Sequence, residues 1–292
     1  MLGRMSRAGY RFLPHRGAVI GAALAVVLVG FALLAPVLTS RDPLASDVER
    51  GLSELGAPLP PSHEALLGTD ALGRDVWARV AYGGRTSLAI AALATAIAAV
   101  IGVTIGLLAG YAGGAVDSAL MRLVDLVMAF PFLLLAILLA ALFREADLAS
   151  SIAPAVVTLG AVGWTAMARV VRGKTRALVH SEMVVAARAI GAGPLRIAVR
   201  HVLPNAASAV VVIATLGFAQ NLLAEAVLSY LGLGAAPPTP SWGRMLYDGR
   251  AYYRTAPHLV IVPGLAIGSA VAAFHLVGEG LRAAFDRRGD RA

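Results

Sequence analysis

RGKTRALVHSEMVVAARAIGAGPLRIAVRHVLPN, residues 172–205, sets Arg172, Lys174, Arg176, Arg188, Arg196 and Arg200 into a chain that is otherwise mostly hydrocarbon. Its own pattern is helix, break, helix. Arg176 to Ala189 is rich in helix formers, Gly191-Ala192-Gly193 interrupts it, and Pro194 suits the first position of a second helix, PLRIAVRHVL, that runs to Pro204. Ala186, Ala187, Ala189, Gly191, Ala192 and Gly193 give the loop a small surface, which suits close insertion into a partner's groove. Gly173-Lys174-Thr175 is not a phosphate loop. That pattern needs a leading strand and a glycine five residues before Gly173, where Ala168 stands at the end of an apolar helix.

Outward from this loop the chain is a series of apolar runs. With 58% hydrophobic and 14% charged residues in 292 and a mean hydropathy of +0.76, it lies outside the range of soluble domains and belongs in a bilayer. Six segments, about 18–38, 87–111, 118–142, 152–171, 204–231 and 258–281, reach the roughly 20 residues a membrane helix needs. The first follows a basic start, as a signal peptide would, but its apolar run exceeds the ~7–15 residues of a cleavable one and reads as a retained span. There is no cysteine, which excludes disulfides and thiolate chemistry.

The net charge of +8 is distributed by topology. With the N-terminus inside, fifteen Lys and Arg fall on inside segments and nine on outside ones, the bias expected of cytoplasmic loops. The basic balance is therefore no nucleic-acid footprint. The chain divides into an N-terminal cytoplasmic tail, 1–17, a first membrane helix, 18–38, and an external segment, 39–85. A core domain, 86–282, contains the cytoplasmic loop 172–205 and an external Pro-rich loop, 232–257, before a tail at 283–292.

Within the spans, Gly102, Gly106 and Gly110 recur every four residues, a spacing that lets helix backbones approach closely in lipid. Gly113-Gly114 then turns the chain, so that the second and third spans are expected as an antiparallel hairpin. Pro131, after Phe130, removes a backbone hydrogen bond and is expected to kink the third span. Asp125, Glu225 and Glu279 lie in or near spans, where an ionised group costs roughly 2.5–3.5 kcal/mol and usually faces the bundle interior. Asp125 and Glu279 also fit positions at the cytoplasmic interface, and Glu225 is the deeper. Outside, Thr69 or Asp70 is expected to cap a short amphipathic helix lying in the interface, with Trp77, Val80 and Ala81 on its apolar face. Trp242, Tyr247, Tyr252 and Tyr253 read as an aromatic belt or as a surface that docks another protein.

Val185-Ala186-Ala187, then Gly191, then Leu203-Pro204-Asn205 has the spacing of the EAA loop of permease subunits of bacterial ABC importers, which the chain resembles. LLGTDALGRDVWARVAYGGRTSL (66–88), DLVMAFPFLLLAI (125–137), SEMVVAARAIGAGPLRIAVRHVLPN (181–205) and EAVLSYLGLGAAPPTPSWGRML (225–246) resemble the C-type subunit of its dipeptide/oligopeptide branch. The resemblance implies an all-α integral membrane protein, a six-helix bundle like type I ABC importer permeases, in the bacterial cytoplasmic membrane with both termini inside.

It also implies partners: a second, B-type permease, two ABC ATPases that use ATP and Mg, an extracytoplasmic substrate-binding protein, the bilayer and a peptide substrate. The chain itself would bind no cofactor and catalyse nothing. Glu182, Ala186, Ala187, Arg188, Gly191, Gly193, Pro194, Leu203, Pro204 and Asn205 would couple it to the ATPase. Asp125, Phe130, Pro131 and Glu225 would line the path or the bundle interior, and Trp242 would meet the binding protein. Val185 stands where the family usually has an acid, with Glu182 one turn earlier on the same face. The rival reading is a secondary transporter with Asp125, Glu225 or Glu279 as proton carrier. Such folds commonly carry inverted repeats, and no convincing repeat is found here.

Overall fold

The computed structural model describes residues 15–145 and 152–285. Most of the two expected tails, and residues 146–151 of the external turn, lie outside the described residues. The helices are α1 (Arg16–Leu33), α2 (Ala35–Leu38), α3 (Val48–Gly51), α4 (Val76–Ala112), α5 (Gly114–Met128), α6 (Phe132–Glu145), α7 (Ala153–Val179), α8 (Glu182–Ala189), α9 (Pro194–Ile197), α10 (Leu203–Tyr230), α11 (Trp242–Gly249) and α12 (His258–Phe285). Among the described residues five helices are long and apolar enough to cross a membrane, and the bent pair of α5 and α6 brings the number to six when it is counted as one span.

α4 organises the bundle. At about 1.5 Å per residue its 37 residues reach ~55 Å, well beyond a ~30 Å hydrocarbon core. Its glycine stripe faces α7. A Cβ on Gly102 would sit 2.6 Å from the Trp164 carbonyl, on Gly106 2.7 Å from the Ala168 carbonyl, and on Gly110 2.8 Å from the Arg172 carbonyl. Without side chains the two backbones come into contact along three turns, where dispersion and close packing replace the hydrophobic drive that lipid cannot supply. The stripe thus serves the α4–α7 pair rather than the α4–α5 turn, which Gly113 (φ 64°) and Gly114 (φ 53°) make by adopting positive φ.

The expected kink in the third span is a full break. Pro131 cannot donate and its ring crowds the carbonyl four residues back, so α5 stops at Met128 and α6 starts at Phe132, with an 85° angle between them. α1 rides on α12, where a Cβ on Gly21 would lie 2.6 Å from Leu276 Cβ.

The expected interfacial helix does not form as a separate element. Asp75, not Thr69 or Asp70, is the N-cap; its side chain accepts from Ala78 N at 2.8 Å, and the helix runs unbroken into the span. Thr69 is spent on the loop instead, accepting from Leu59 N at 2.8 Å and donating to the Gly51 carbonyl. Asp70 pairs with Arg74 at 2.7 Å and Arg79 at 3.2 Å, while Asp248 of α11 receives Arg79 at 3.4 Å and Arg244 at 2.9 Å. Arg79 is only 2% exposed, and its burial is tolerated because each guanidinium nitrogen has a partner, Nε on Asp70, Nη2 on Asp248 and Nη1 on the Pro43 carbonyl.

The same stretch seats Trp242. Its ring is 0% exposed, its indole N–H donates to the Val80 carbonyl at 2.9 Å, and its backbone N–H donates to Ser87 Oγ at 3.2 Å. Both readings of Trp242 are therefore corrected. A ring of α11 enclosed in the core formed with α4, α10 and α12 is neither a lipid-interface belt residue nor a contact for a binding protein. Gly84 makes the space, since a Cβ there would lie 2.8 Å from Trp242 Cζ2.

Replacing Gly106 by Leu is expected to lower the amount of detergent-stable protein and to destabilise the bundle by about 1–3 kcal/mol through overpacking. Gly264→Ala, where a Cβ meets nothing within 4 Å, serves as the control. Trp242→Ala should cost about 3–5 kcal/mol, the range for emptying a buried aromatic site. Thermal unfolding of the purified protein checks both.

Candidate functional site

The basic stretch 172–205, with Arg169 just before it, divides into two structural parts. Arg169, Arg172 and Arg176 belong to the C-terminal half of α7 and bind α5: Arg172 Nη2 donates to Asp117 Oδ2 at 2.7 Å, Arg176 reaches the same oxygen at 3.4 Å, and Arg169 pairs with Asp125. Gly173-Lys174-Thr175 is continuous helix, with Thr175 packed against Gly110. Asp117 escaped the sequence reading because its partners lie 55 residues away and only the α4–α7 contact brings them near.

The second part is the loop proper. The expected helix from Arg176 to Ala189 is interrupted at His180-Ser181, where Ser181 Oγ donates to the Leu178 carbonyl at 2.6 Å and α8 begins. α8 ends in a Schellman cap. Gly191 takes φ 84°, its N–H donates to the Arg188 carbonyl at 2.9 Å, and Ala192 N–H donates to the Ala187 carbonyl at 3.0 Å. Gly193 is then the N-cap of α9, with Pro194 at its start.

From Ala198 to Val202 the chain winds as a wider π-turn before α10. Pro204 supplies the cause, having no N–H for the carbonyl of Arg200 and a ring that crowds it. The second helix therefore continues through Pro204 instead of stopping there. Asn205 Nδ2 donates to the His201 carbonyl at 2.7 Å, which gives Leu203-Pro204-Asn205 a local structural task.

The underside of the loop is a small core. Val184, Ala187, Ile197 and Val202 are buried against Leu107, Tyr111 and Leu178, which fixes the loop to the inner end of α4. Ala187, 4% exposed, faces this core and not a partner, whereas Glu182, Ala186, Arg188, Gly191, Gly193 and Pro194 are all exposed; Pro204 is exposed and Leu203 and Asn205 half-buried. Arg188 lies over the Tyr111 ring at 5.6 Å. The outer surface carries apolar side chains that the sequence reading did not single out: Ile190 is 86% exposed and Leu195 78%, beside Val185 and Val199. Their position across the Gly191 turn, one on each helix flank, was readable from the break but not their outward direction.

The remaining candidates do not form one site. Phe130 and Pro131 are exposed at the α5–α6 break. Asp125 is largely exposed and paired with Arg169, and Glu279 is exposed and 3.3 Å from His275. Glu225 is fully buried, with Ser229 Oγ donating to its Oε1 at 2.7 Å and Ser241 Oγ 3.3 Å from Ser229 Oγ. It shares no partner with the other two carboxylates, so the three form no relay among the described residues. Glu225 instead joins the end of α10 to the start of α11.

Residues 102–291 match the family of binding-protein-dependent transport system inner membrane components, and residues 3–61 match the N-terminal TM domain of oligopeptide transport permease C. The chain is 38% identical over 278 residues to a putative peptide transport system permease protein of Brucella abortus, covering 95% of this chain and 90% of that one. It is 44% identical over 226 residues to the glutathione transport system permease protein GsiD of Escherichia coli, covering 77% and 73%. Identity to the dipeptide transport system permease protein DppC of Alkalihalophilus pseudofirmus is 38% over 269 residues, covering 92% and 85%. In fold it resembles the MetNI methionine ABC transporter in an inward-facing conformation, with a TM-score of 0.58 at 20% identity over 71% of this chain and 97% of that one. The chain thus belongs to the inner-membrane permeases of binding-protein-dependent ABC importers, in the branch that carries the N-terminal domain of oligopeptide permease C.

Proposed function

We propose that this chain is the C-type half of a peptide importer. It lines the translocation path together with a second, B-type permease, receives peptide from an extracytoplasmic binding protein, and is driven by two cytoplasmic ABC ATPases that consume ATP and Mg. Peptide, glutathione and dipeptide transport in the names of the relatives support the substrate class. Both termini and the loop lie in the cytoplasm, in keeping with the fifteen-to-nine distribution of Lys and Arg.

One observation carries the coupling role. The loop's underside is packed onto α4, while its outer surface ends in Ile190 and Leu195, with none of the described residues over them. A short helix pair held firmly from below and apolar on top transmits displacement to the span it stands on. Gly191 sits at the apex with open space around its Cβ position, so a partner's surface can approach the backbone.

Gly191→Arg is expected to insert normally, since beyond its chain neighbours no atom of the described residues lies within 4 Å of the new Cβ, although φ 84° costs about 1–2 kcal/mol for a residue with a side chain. Transport should fall to background, with ATPase subunits lost from the complex or hydrolysing ATP without response to substrate. Wild-type transport at normal protein level would remove the coupling role. Glu182→Lys should act in the same direction and more weakly, since an exposed ion pair contributes about 0–1 kcal/mol.

The orientation is checked with single cysteines, none being native. An impermeant thiol reagent added to intact cells should label Pro60→Cys and Tyr253→Cys, both exposed, and leave exposed Lys174→Cys unlabelled until the membrane is opened. Labelling at position 174 from outside would reverse the assignment.

A further inference from the structure

A cavity of about 650 Å3 opens where α1–α2 and the outer end of α4 meet the Pro-rich loop, lined among others by Pro36, Ser40, Arg41, Tyr82, Arg85 and Thr86. Its two cations differ. Arg41 donates to Asp75 at 2.9 Å, so its charge is compensated, and the acid in the wall, Asp42, turns its Oδ1 to Leu44 N at 2.8 Å. Arg85 is exposed, stacks over Tyr82 at 5.7 Å, and has no carboxylate partner among the described residues.

Arg85 lies three residues before Leu88, where the long apolar run of α4 begins, and so at the boundary of the hydrocarbon. An uncompensated guanidinium at that depth calls for an anion, and the hydroxyls of Tyr82, Thr86 and Ser40 in the same wall are further donors for phosphate oxygens. Next to the cavity Leu33 at the end of α1, Leu34 in the joint and Val37 of α2 are exposed, the last 82%. A charged, hydroxyl-lined head site beside a strip of exposed aliphatic side chains matches an amphiphile with an anionic head and hydrocarbon tails.

We propose that this cavity is a phospholipid site of the outer leaflet, with the lipid phosphate on Arg85 and the acyl chains along α1. The bound lipid completes the charge of Arg85 and seals the junction of α1 with α4. The proposal does not depend on the substrate.

The test uses the purified transporter complex containing the full chain, stripped of loosely held lipid, with bound lipid counted by native mass spectrometry. Three probes separate the sources of the interaction: phosphatidylglycerol, diacylglycerol with the same chains but no phosphate, and glycerol phosphate with no chains. Phosphatidylglycerol should be retained at one per chain, and Arg85→Gln should weaken it at least about tenfold while Arg85→Lys keeps most of it. Diacylglycerol should bind weakly and be indifferent to both variants. Glycerol phosphate should not compete at matched concentration. Equal retention by wild type and Arg85→Gln would overturn the proposal, and so would full competition by glycerol phosphate, which would mark a site for a soluble anion. Should Arg85→Gln not assemble, Tyr82→Phe combined with Thr86→Val removes two donors and must lower retention for the proposal to stand.

Discussion

The backbone contact between α4 and α7 is the constraint on which the rest of the structure depends. Gly102, Gly106 and Gly110 admit the carbonyls of Trp164, Ala168 and Arg172 to distances that no side chain would allow. That contact aligns the C-terminal ends of the two helices, and the loop and α5 are built on them. Leu107 and Tyr111 of α4 supply the floor on which the loop core rests, and Arg172 of α7 is presented to Asp117 of α5. At the other end of the same helix Val80, Gly84 and Ser87 hold Trp242 and with it α11. One 37-residue helix therefore carries α11 at one end and the loop at the other, which is a geometry suited to linking events on the two faces of a membrane.

The two ends are built by different physics. At the α11 end the structure relies on charge: Asp70, Arg74, Arg79, Arg244 and Asp248 form a partly desolvated network in which Asp70, Arg74, Arg79 and Asp248 each meet at least two opposite charges. Inside, the loop relies on a few aliphatic contacts and on turn chemistry, which leaves its outer surface free of internal duties. The distinction fits the division of labour proposed above, with a charge-held framework at one end and a free surface for a separate motor at the other.

Features that depend on neighbouring residues alone were legible in the sequence. The break at Gly191, the start at Pro194 and the interruption at Pro131 follow from backbone chemistry within a few residues, and the six apolar runs follow from hydropathy. Features that depend on distant packing were not. Trp242 reads as an exposed aromatic in a Pro-rich loop until Ser87, 155 residues earlier, is seen to receive its backbone N–H. The charged turns before Val76 read as an interfacial helix because their partners, above all Asp248, lie on another element. Ala187 counted as part of a presented surface because a small residue at a loop looks the same whether it faces in or out, and its direction is set by Val184, Ile197 and Val202 together. The sequence thus singled out the segment proposed to couple, and the structure sorts it into an anchoring face and a free one.

The most direct measurement of the central claim, that the free face of this loop is where the motor attaches, is cross-linking from single cysteines in the assembled complex. Ile190→Cys, at the most exposed aliphatic position of the loop, should form an adduct with the ATPase subunit through a short thiol-reactive linker, in a yield that changes when ATP is bound. Ala187→Cys, on the anchored face, should not. Adducts from position 187 equal to those from 190, or none from 190 in a complex that still transports, would contradict the account.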